Sequence, residues 1–357
     1  MRITHLSLVQ FRSYSHFTTD ITDNVTVIVG PNGSGKTNLL ESIYFLATGT
    51  SFRGRDRDVI GHNQLQAAAK MTLDDDRERS VTLQLRDDGR VGKFFSIDGT
   101  KRQRLSFAQR LPVVLFDPDS LRALSSSPAR RRAFLDSILT RIQPQYSTIL
   151  HRYERTLLQR NELLKKQSEF SQQAWQDQLF VWDMKLAELA TKIIHYRTDL
   201  LAQCNKLLSE TYSDIAEKPT VIHANYETAI AIPHYQQTIL TQLQQNTRID
   251  AIRGYTSVGP HRDDFVVWID DHPAADVASR GEMRTIMLAF KLIETKLLKD
   301  LYDTPPLLLL DDVFSELDSI RRQKLITTIQ DCQTIITTTD ADIADSSDLP
   351  HSVIQTK

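Results

Sequence analysis

Cysteine is almost missing from this chain: Cys204 and Cys332 are the only two in 357 residues. Two thiols so far apart exclude a disulfide framework and any C-x-x-C metal site, and a reducing cytoplasm is the simplest expectation. An excess of one charge is missing too. Lys and Arg number 43 against 45 Asp and Glu, a formal net charge of −2. No global positive field advertises nucleic acid, so any DNA contact has to come from local patches. Long apolar runs are absent. The longest, around Leu307 to Leu310, is far too short to span a bilayer, so no membrane partner is expected. The N-terminus shows no charged-then-apolar secretory signal. Proline and glycine are absent between Tyr146 and Tyr212, which leaves nothing in that stretch to interrupt a helix.

What is present is ordinary soluble composition, 40% hydrophobic and 25% charged, in a chain long enough for two lobes. Its most informative stretch is Gly30-Pro31-Asn32-Gly33-Ser34-Gly35-Lys36-Thr37. The spacing is G-x-x-x-x-G-K-[ST], preceded by the β-branched run Val25–Val29 and followed by apolar residues at helical spacing from Leu39 to Leu46. Strand, glycine-rich turn and helix stand in the order that phosphate binding needs. The glycines let backbone N–H groups crowd around phosphate oxygens, and the helix N-terminus adds partial positive charge. Lys36 is placed to reach the β/γ-phosphates, and Thr37 to offer its hydroxyl to Mg2+.

Ile3 to Phe11 alternates as a strand, and the Arg12 that follows reads as a surface arginine. In Ser51–Arg57, Arg53, Arg55 and Arg57 admit two readings: contacts to phosphate, of a nucleotide or of DNA, or a solvated loop balanced by Asp56 and Asp58. Arg53 is the best single candidate. Residues 66–97 read as a β-meander with Asp88-Gly89 as a hairpin turn. Pro112–Phe116 reads as a buried strand, and Pro128 as the first turn of a helix carrying Arg130, Arg131 and Arg132. Those three fan around the helix, so one or two are available to phosphates and the others to structural pairs. From Tyr146 to Tyr212 the apolar stripe, broken at 167–173, predicts two long helices folded back as an arm. Arg152, Arg155, Arg160, Lys165 and Lys166 give the first of them a basic bias, a weak DNA signal.

Downstream, Gly259-Pro260-His261-Arg262 reads as a loop before the strand Phe265–Ile269. His261 has no Ser or Cys nucleophile beside it in sequence, and a structural or phosphate-proximal loop is expected. Ser279-Arg280-Gly281-Glu282 opens a helical pattern. Ser279 and Gly281 would offer a hydroxyl and an N–H at a helix N-terminus, a second anion-binding end; alone the tetrapeptide is a common helix cap. Leu307–Leu310 followed by Asp311-Asp312 is a buried strand ending in carboxylates. Asp311 is expected to hold Mg2+, directly or through water, and Asp312 to orient or deprotonate an attacking water.

Taken together, these motifs resemble an ABC-type ATPase head of the chromosome-maintenance and repair branch. Phe11-Arg12-Ser13-Tyr14, Ser127-Pro128 with Arg131–Asp136, Gly259-Pro260-His261, and Leu310–Asp318 make the resemblance closest to the RecF family, over essentially the whole chain. The resemblance implies an α/β fold: a P-loop sheet plus antiparallel β layer, residues 1–120 and 254–357, with an inserted helical arm, residues 121–253. It implies ATP and Mg2+ as ligands, with Lys36, Asp311, Asp312 and Ser279 catalytic. Gly30 to Thr37, Ser279, Gly281 and Arg53 would bind nucleotide, and Thr37 and Asp311 the metal. It further implies a cytoplasmic, weakly hydrolysing, DNA-stimulated ATPase of gap repair. That protein would bind single- and double-stranded DNA at gapped junctions, form an ATP-dependent homodimer, and work with RecR and RecO in helping RecA to load, supporting fork recovery and SOS induction. The rival reading is another ABC-type DNA-maintenance ATPase or an ATP-driven DNA-processing subunit. Asp312 stands where most ABC-type enzymes carry glutamate, and its shorter side chain implies slow turnover. Thr337–Asp340 stands where many relatives sense the γ-phosphate with histidine. Gln109 is the nearest candidate for the glutamine-bearing loop.

Overall fold

The computed structural model describes residues 1–339 and 351–356. In chain order the elements among them are β1 (Ile3–Phe11), β2 (Tyr14–Asp20), β3 (Val25–Val29), α1 (Lys36–Thr48), α2 (Asp56–Val59), β4 (Gln66–Leu73), β5 (Glu78–Leu85), β6 (Val91–Ile97), β7 (Thr100–Arg102), β8 (Val113–Phe116), α3 (Pro118–Leu121), α4 (Pro128–Ile142), α5 (Tyr146–Lys165), α6 (Gln172–Ala216), β9 (Ile222–Glu227), α7 (Tyr235–Gln245), α8 (Thr247–Arg253), β10 (Asp264–Ile269), β11 (His272–Pro273), α9 (Ala274–Val277), α10 (Arg280–Tyr302), β12 (Leu307–Asp311), α11 (Ser319–Thr328), β13 (Thr334–Thr338) and β14 (His351–Gln355). They form two compact units, Met1–Leu121 with Glu294–Lys357, and Arg122–Ile293.

The first unit holds two sheets. One is parallel, in the order β14-β3-β13-β12-β8; the other is antiparallel, in the order β2-β1-β4-β5-β6-β7. Parallel strands covered on both faces need continuous apolar residues, which explains why β8 and the first four residues of β12 are buried throughout. The antiparallel strands alternate instead, as in β4, where Ala67, Ala69, Met71 and Leu73 turn inward. Helix α1 packs against strands of both sheets. That placement explains why it is apolar nearly all round, with Leu39, Leu40, Ile43, Phe45 and Leu46 at most 1% exposed.

In the second unit α5 and α6 fold back on each other as the apolar stripe with its break at 167–173 predicts, with Ser171 capping α6 at Ala174 N (3.3 Å). The hairpin is pinned by an ion network. Arg160, fully buried, donates from Nε to Asp183 Oδ1 (2.6 Å) and from Nη1 to Asp250 Oδ2 (2.8 Å) and Thr256 Oγ1 (2.9 Å). Arg160 therefore leaves the basic face assigned to it from the sequence: its charge is consumed inside the unit. The unit continues past residue 254, where the return to the head is expected, to Ile293 within α10. β10 is the reason, because it pairs antiparallel with β9 from Asp264↔Glu227 to Ile269↔Ile222 and packs on α4. The outer edge of β9 is closed by α6. Asn205, Ser209 and Ser213 hydrogen-bond the main chain of Ala224, Ile222 and Thr220. No helix of the described residues is long and apolar enough to cross a membrane.

Candidate nucleotide site

The parallel sheet brings three strand ends together. β13 lies between β3 and β12, with Thr337 level with both Ile28 and Asp311. Ligands of open parallel sheets collect at this carboxyl edge. Here the phosphate loop leaves β3 and enters α1, whose first residue is Lys36. Gly33 and Gly35 have φ of 85° and 97°, left-handed values that a side chain would strain. Lys36 Nζ donates to Gly30 O (2.7 Å) and Pro31 O (2.9 Å), so its ammonium is already held across the loop mouth. A cavity of about 390 Å3 opens there, lined by Asn32, Gly33, Gly35, Lys36, Thr37, Asn38, Arg53, Asp311, Asp312 and Thr337 among others. Gly30, Pro31 and Ser34 support the loop without lining the cavity.

Asp311 Oδ1 accepts from Thr37 Oγ1 and from Thr337 Oγ1, both at 2.8 Å. Burial pushes the Asp311 pKa up; the two hydroxyls and the positive charge of Arg53 oppose that, and Asp117 adds to it. A desolvated carboxylate beside a hydroxyl is the donor set that a hard divalent cation satisfies, so these residues fit Mg2+. Asp312 takes φ 52°. Its N–H donates to Thr337 Oγ1 (3.0 Å), and its Oδ1 is buried without a hydrogen-bond partner among the described residues. An orphaned carboxylate oxygen beside a phosphate site can take a water. Thr337, itself fully buried, thus ties both aspartates. Sequence reasoning noticed the threonine run only as the place of a missing histidine. Asp340, the last residue of that run, lies outside the described residues.

Arg12 is not a surface arginine. It forms a bidentate pair with Glu41, Nε to Oε2 at 2.7 Å and Nη2 to Oε1 at 2.6 Å, and Glu41 is fully buried on α1. Ser51 Oγ donates to the same carboxylate (2.5 Å) and accepts from Arg53 N (2.9 Å) and Gly54 N (3.0 Å). One buried charge therefore links the end of β1, the helix after the phosphate loop and the segment that presents Arg53. The exposed Arg53 side chain donates from Nη1 to Asn38 Oδ1 (3.2 Å).

Other nominated residues stand elsewhere. Ser279 precedes α10 as a capping box: its Oγ accepts from Glu282 N (3.2 Å) while Glu282 Oε2 accepts from Ser279 N (2.8 Å). Ser279 is exposed, and Gly281 lies in the first turn. Gln109 accepts at Oε1 from Ser106 N and Oγ, both at 3.0 Å. Arg131 is spent on Asp264 and Arg132 on the Asp263 carbonyl. His261 lies in a closed network. Its Nε2 faces Thr256 O (3.1 Å) and its Nδ1 faces Tyr153 OH (2.7 Å). The carbonyl can only accept, so Nε2 carries the proton and Nδ1 accepts from the phenol. Burial pushes the His261 pKa down to about 4, which keeps it neutral. These contacts make His261 structural.

The family model described as RecF/RecN/SMC N terminal domain matches residues 2–357. The chain is 37% identical over 351 residues to the DNA replication and repair protein RecF of Streptococcus uberis, covering 96% of this chain and 94% of that one. It is 34% identical over 358 residues to the RecF of Crocosphaera subtropica, with 95% and 93% covered. Among solved structures it resembles the recombination mediator protein RecF with ATP in the RecFOR pathway. The TM-score is 0.84 at 28% identity, over 98% of this chain and 93% of that one. The Smc head domain with a coiled coil and joint from Pyrococcus yayanosii shares the fold, with TM-score 0.52 at 14% identity over 99% and 94% of the two chains. The phosphate loop, the strand-end aspartates and the two sheets around α1 are thus an ABC-type ATPase head, and the chain belongs to the RecF family.

Proposed function

We propose that this protein is an ATP-gated DNA-binding clamp of recombinational gap repair, in which two copies close over shared Mg-ATP. The observation that carries this reading is the single cavity that gathers Lys36, Thr37, Asp311 and Asp312, four residues from two distant segments. Lys36 binds the β/γ-phosphates, the loop N–H groups cradle them, and Arg53 adds a guanidinium at the rim. Thr37 and Asp311 would hold Mg2+, which would supply charge neutralisation to the triphosphate. Asp312 positions the attacking water, and its short side chain makes turnover slow. Ser279, exposed just before α10, and the Gly281 N–H complete the γ-phosphate site of the partner copy, so neither copy alone makes a full site. Mass action then couples nucleotide to dimer, and hydrolysis loosens it.

The likeness to RecF of the RecFOR pathway supports extending this reading to gapped DNA in the cytoplasm, with RecR and RecO, in support of RecA loading and SOS induction. Sedimentation with and without Mg-ATP tests the shared site. The Ser279→Arg variant should still bind ATP but fail to form the ATP-dependent dimer; normal dimerisation of that variant would sink the reading.

A further inference from the structure

The phosphate loop is anchored by a residue far from the motif. β14 runs parallel to β3 with Gln355 level with Val29. The next residue, Thr356, donates from its N–H to Val29 O (2.9 Å). Its side chain turns into the loop: Thr356 Oγ1 stands 2.7 Å from Ser34 Oγ and 3.3 Å from Val29 O. Thr356 is only 7% exposed. A carbonyl can only accept, so the Thr356 hydroxyl donates to Val29 O and the Ser34 hydroxyl donates to Thr356 Oγ1. Ser34 lies between the left-handed Gly33 and Gly35. It is the only residue of that turn with a side chain, hence the only one through which side-chain bonding can hold the apex. Gly30 reports the same contact from below. A Cβ there would meet Thr356 Oγ1 at 2.2 Å and Thr356 O at 2.7 Å. This glycine is therefore required by the close approach of the Thr356 segment.

We infer that Thr356 is a positioning residue for the phosphate loop, acting through the Ser34 hydroxyl to hold the loop in its phosphate-binding shape. A loop with two glycines at its apex loses much backbone freedom on binding. Fixing its middle residue beforehand lowers that cost and so raises affinity for the nucleotide phosphates. The inference rests on the nucleotide-site reading above.

The test is a double-mutant cycle on Mg-ATP affinity, by calorimetric titration of the full chain. Thr356→Ala and Ser34→Ala should each weaken binding about fivefold, the value of one neutral hydrogen bond. The double variant should be no weaker than either single one, because both remove the same link. Thr356→Ser, which keeps the hydroxyl, should bind within about twofold of the parent, a rescue that loss of packing would not produce. Full additivity of the two losses, or a Thr356→Ser variant as weak as Thr356→Ala, would overturn the proposal. So would parent-like binding by Thr356→Ala. If the parent chain itself bound no Mg-ATP, the nucleotide reading would fall first, and the two failures are distinguishable.

Discussion

Glu41 shows how much one charge can organise. It is fully buried yet takes three donors, two from Arg12 and one from Ser51. Replacing Glu41 with Gln leaves a guanidinium facing a neutral amide, and breaking such a buried pair costs about 3 kcal/mol. Thermal unfolding of Glu41→Gln should show that loss, and Arg12→Lys should not escape it, because an ammonium cannot bond both oxygens in the fork. Titrating residues in the second unit act in opposition. Burial raises the Asp263 pKa to about 6 and lowers that of His261 to about 4. The His261 contribution is full above its unfolded value near 6.5 and is lost as pH falls toward 4. The Asp263 contribution is full below its unfolded value near 4 and is lost as pH rises through 6. Each is worth roughly 3 kcal/mol at its limit, so between pH 4 and 6 the two nearly cancel. Asp263→Asn should therefore unmask an acid-sensitive protein: its denaturation midpoint should drop steeply from pH 6.5 to 4.5, where the parent stays level. A level midpoint for the variant would refute this compensation. At this scale the sequence was legible where spacing imposes chemistry, as for Lys36, Thr37 and Asp311. Arg12 and Thr337 escaped because their partners, Glu41 and the two aspartates, are set by tertiary approach and not by any local pattern.

The long helix α6 does two jobs with two faces. Its apolar stripe, readable from the sequence, packs on α5. Its other task was hidden, because Asn205, Ser209 and Ser213 look like an ordinary polar face. Four residues of helix advance about 6.0 Å and two residues of strand about 6.7 Å. Polar side chains at i, i+4 and i+8 can therefore follow alternate residues of β9. The match closes an edge that would otherwise offer free N–H and C=O groups to another strand. Asn205 bonds both main-chain groups of Ala224, N–H to Oδ1 at 2.8 Å and Nδ2 to O at 2.9 Å, and Ala224 is 2% exposed. Asn205→Leu should thus cost about 2–4 kcal/mol, two buried groups left unpaired. Ser213→Ala should cost less, since Thr220 is only half-buried. Urea unfolding of the two variants ranks them, and the reverse order would show that helix packing rather than edge closure dominates. Of the three strands in this sheet, β10 was readable as the apolar run Phe265–Ile269, whereas β9 was not, because its edge is satisfied by polar side chains of α6 and not by a pattern within the strand.

On the scale of the whole molecule, the net charge of −2 hides local asymmetry. Register brings part of it into one place. Lys93 on β6 bonds Asp56 Oδ2 (2.9 Å), tying that strand to the segment bearing Arg53, Arg55 and Arg57. β7 is the next strand, with Arg102 level with Phe95 and Lys101 with Ser96. Arg55, Arg57, Lys101, Arg102 and Arg104 are exposed and make no ion pair among the described residues, while the Asp56 carboxylate is already taken by Lys93. Segments some fifty positions apart in the chain are thus linked through β6, and the edge strand β7 and the turn after it present Arg102 and Arg104 as a candidate basic rim of the first unit. If DNA phosphates lie on that rim, each arginine in contact releases about 0.9 counterion. Arg102→Ala with Arg104→Ala should then weaken duplex binding at all sequences alike. The slope of log affinity against log salt should fall by about 1.8. Mg-ATP affinity, set at the other end of α1, should not move. An unchanged slope in filter binding between about 50 and 200 mM salt would place the DNA on another face, because a lost phosphate contact cannot leave the counterion count intact.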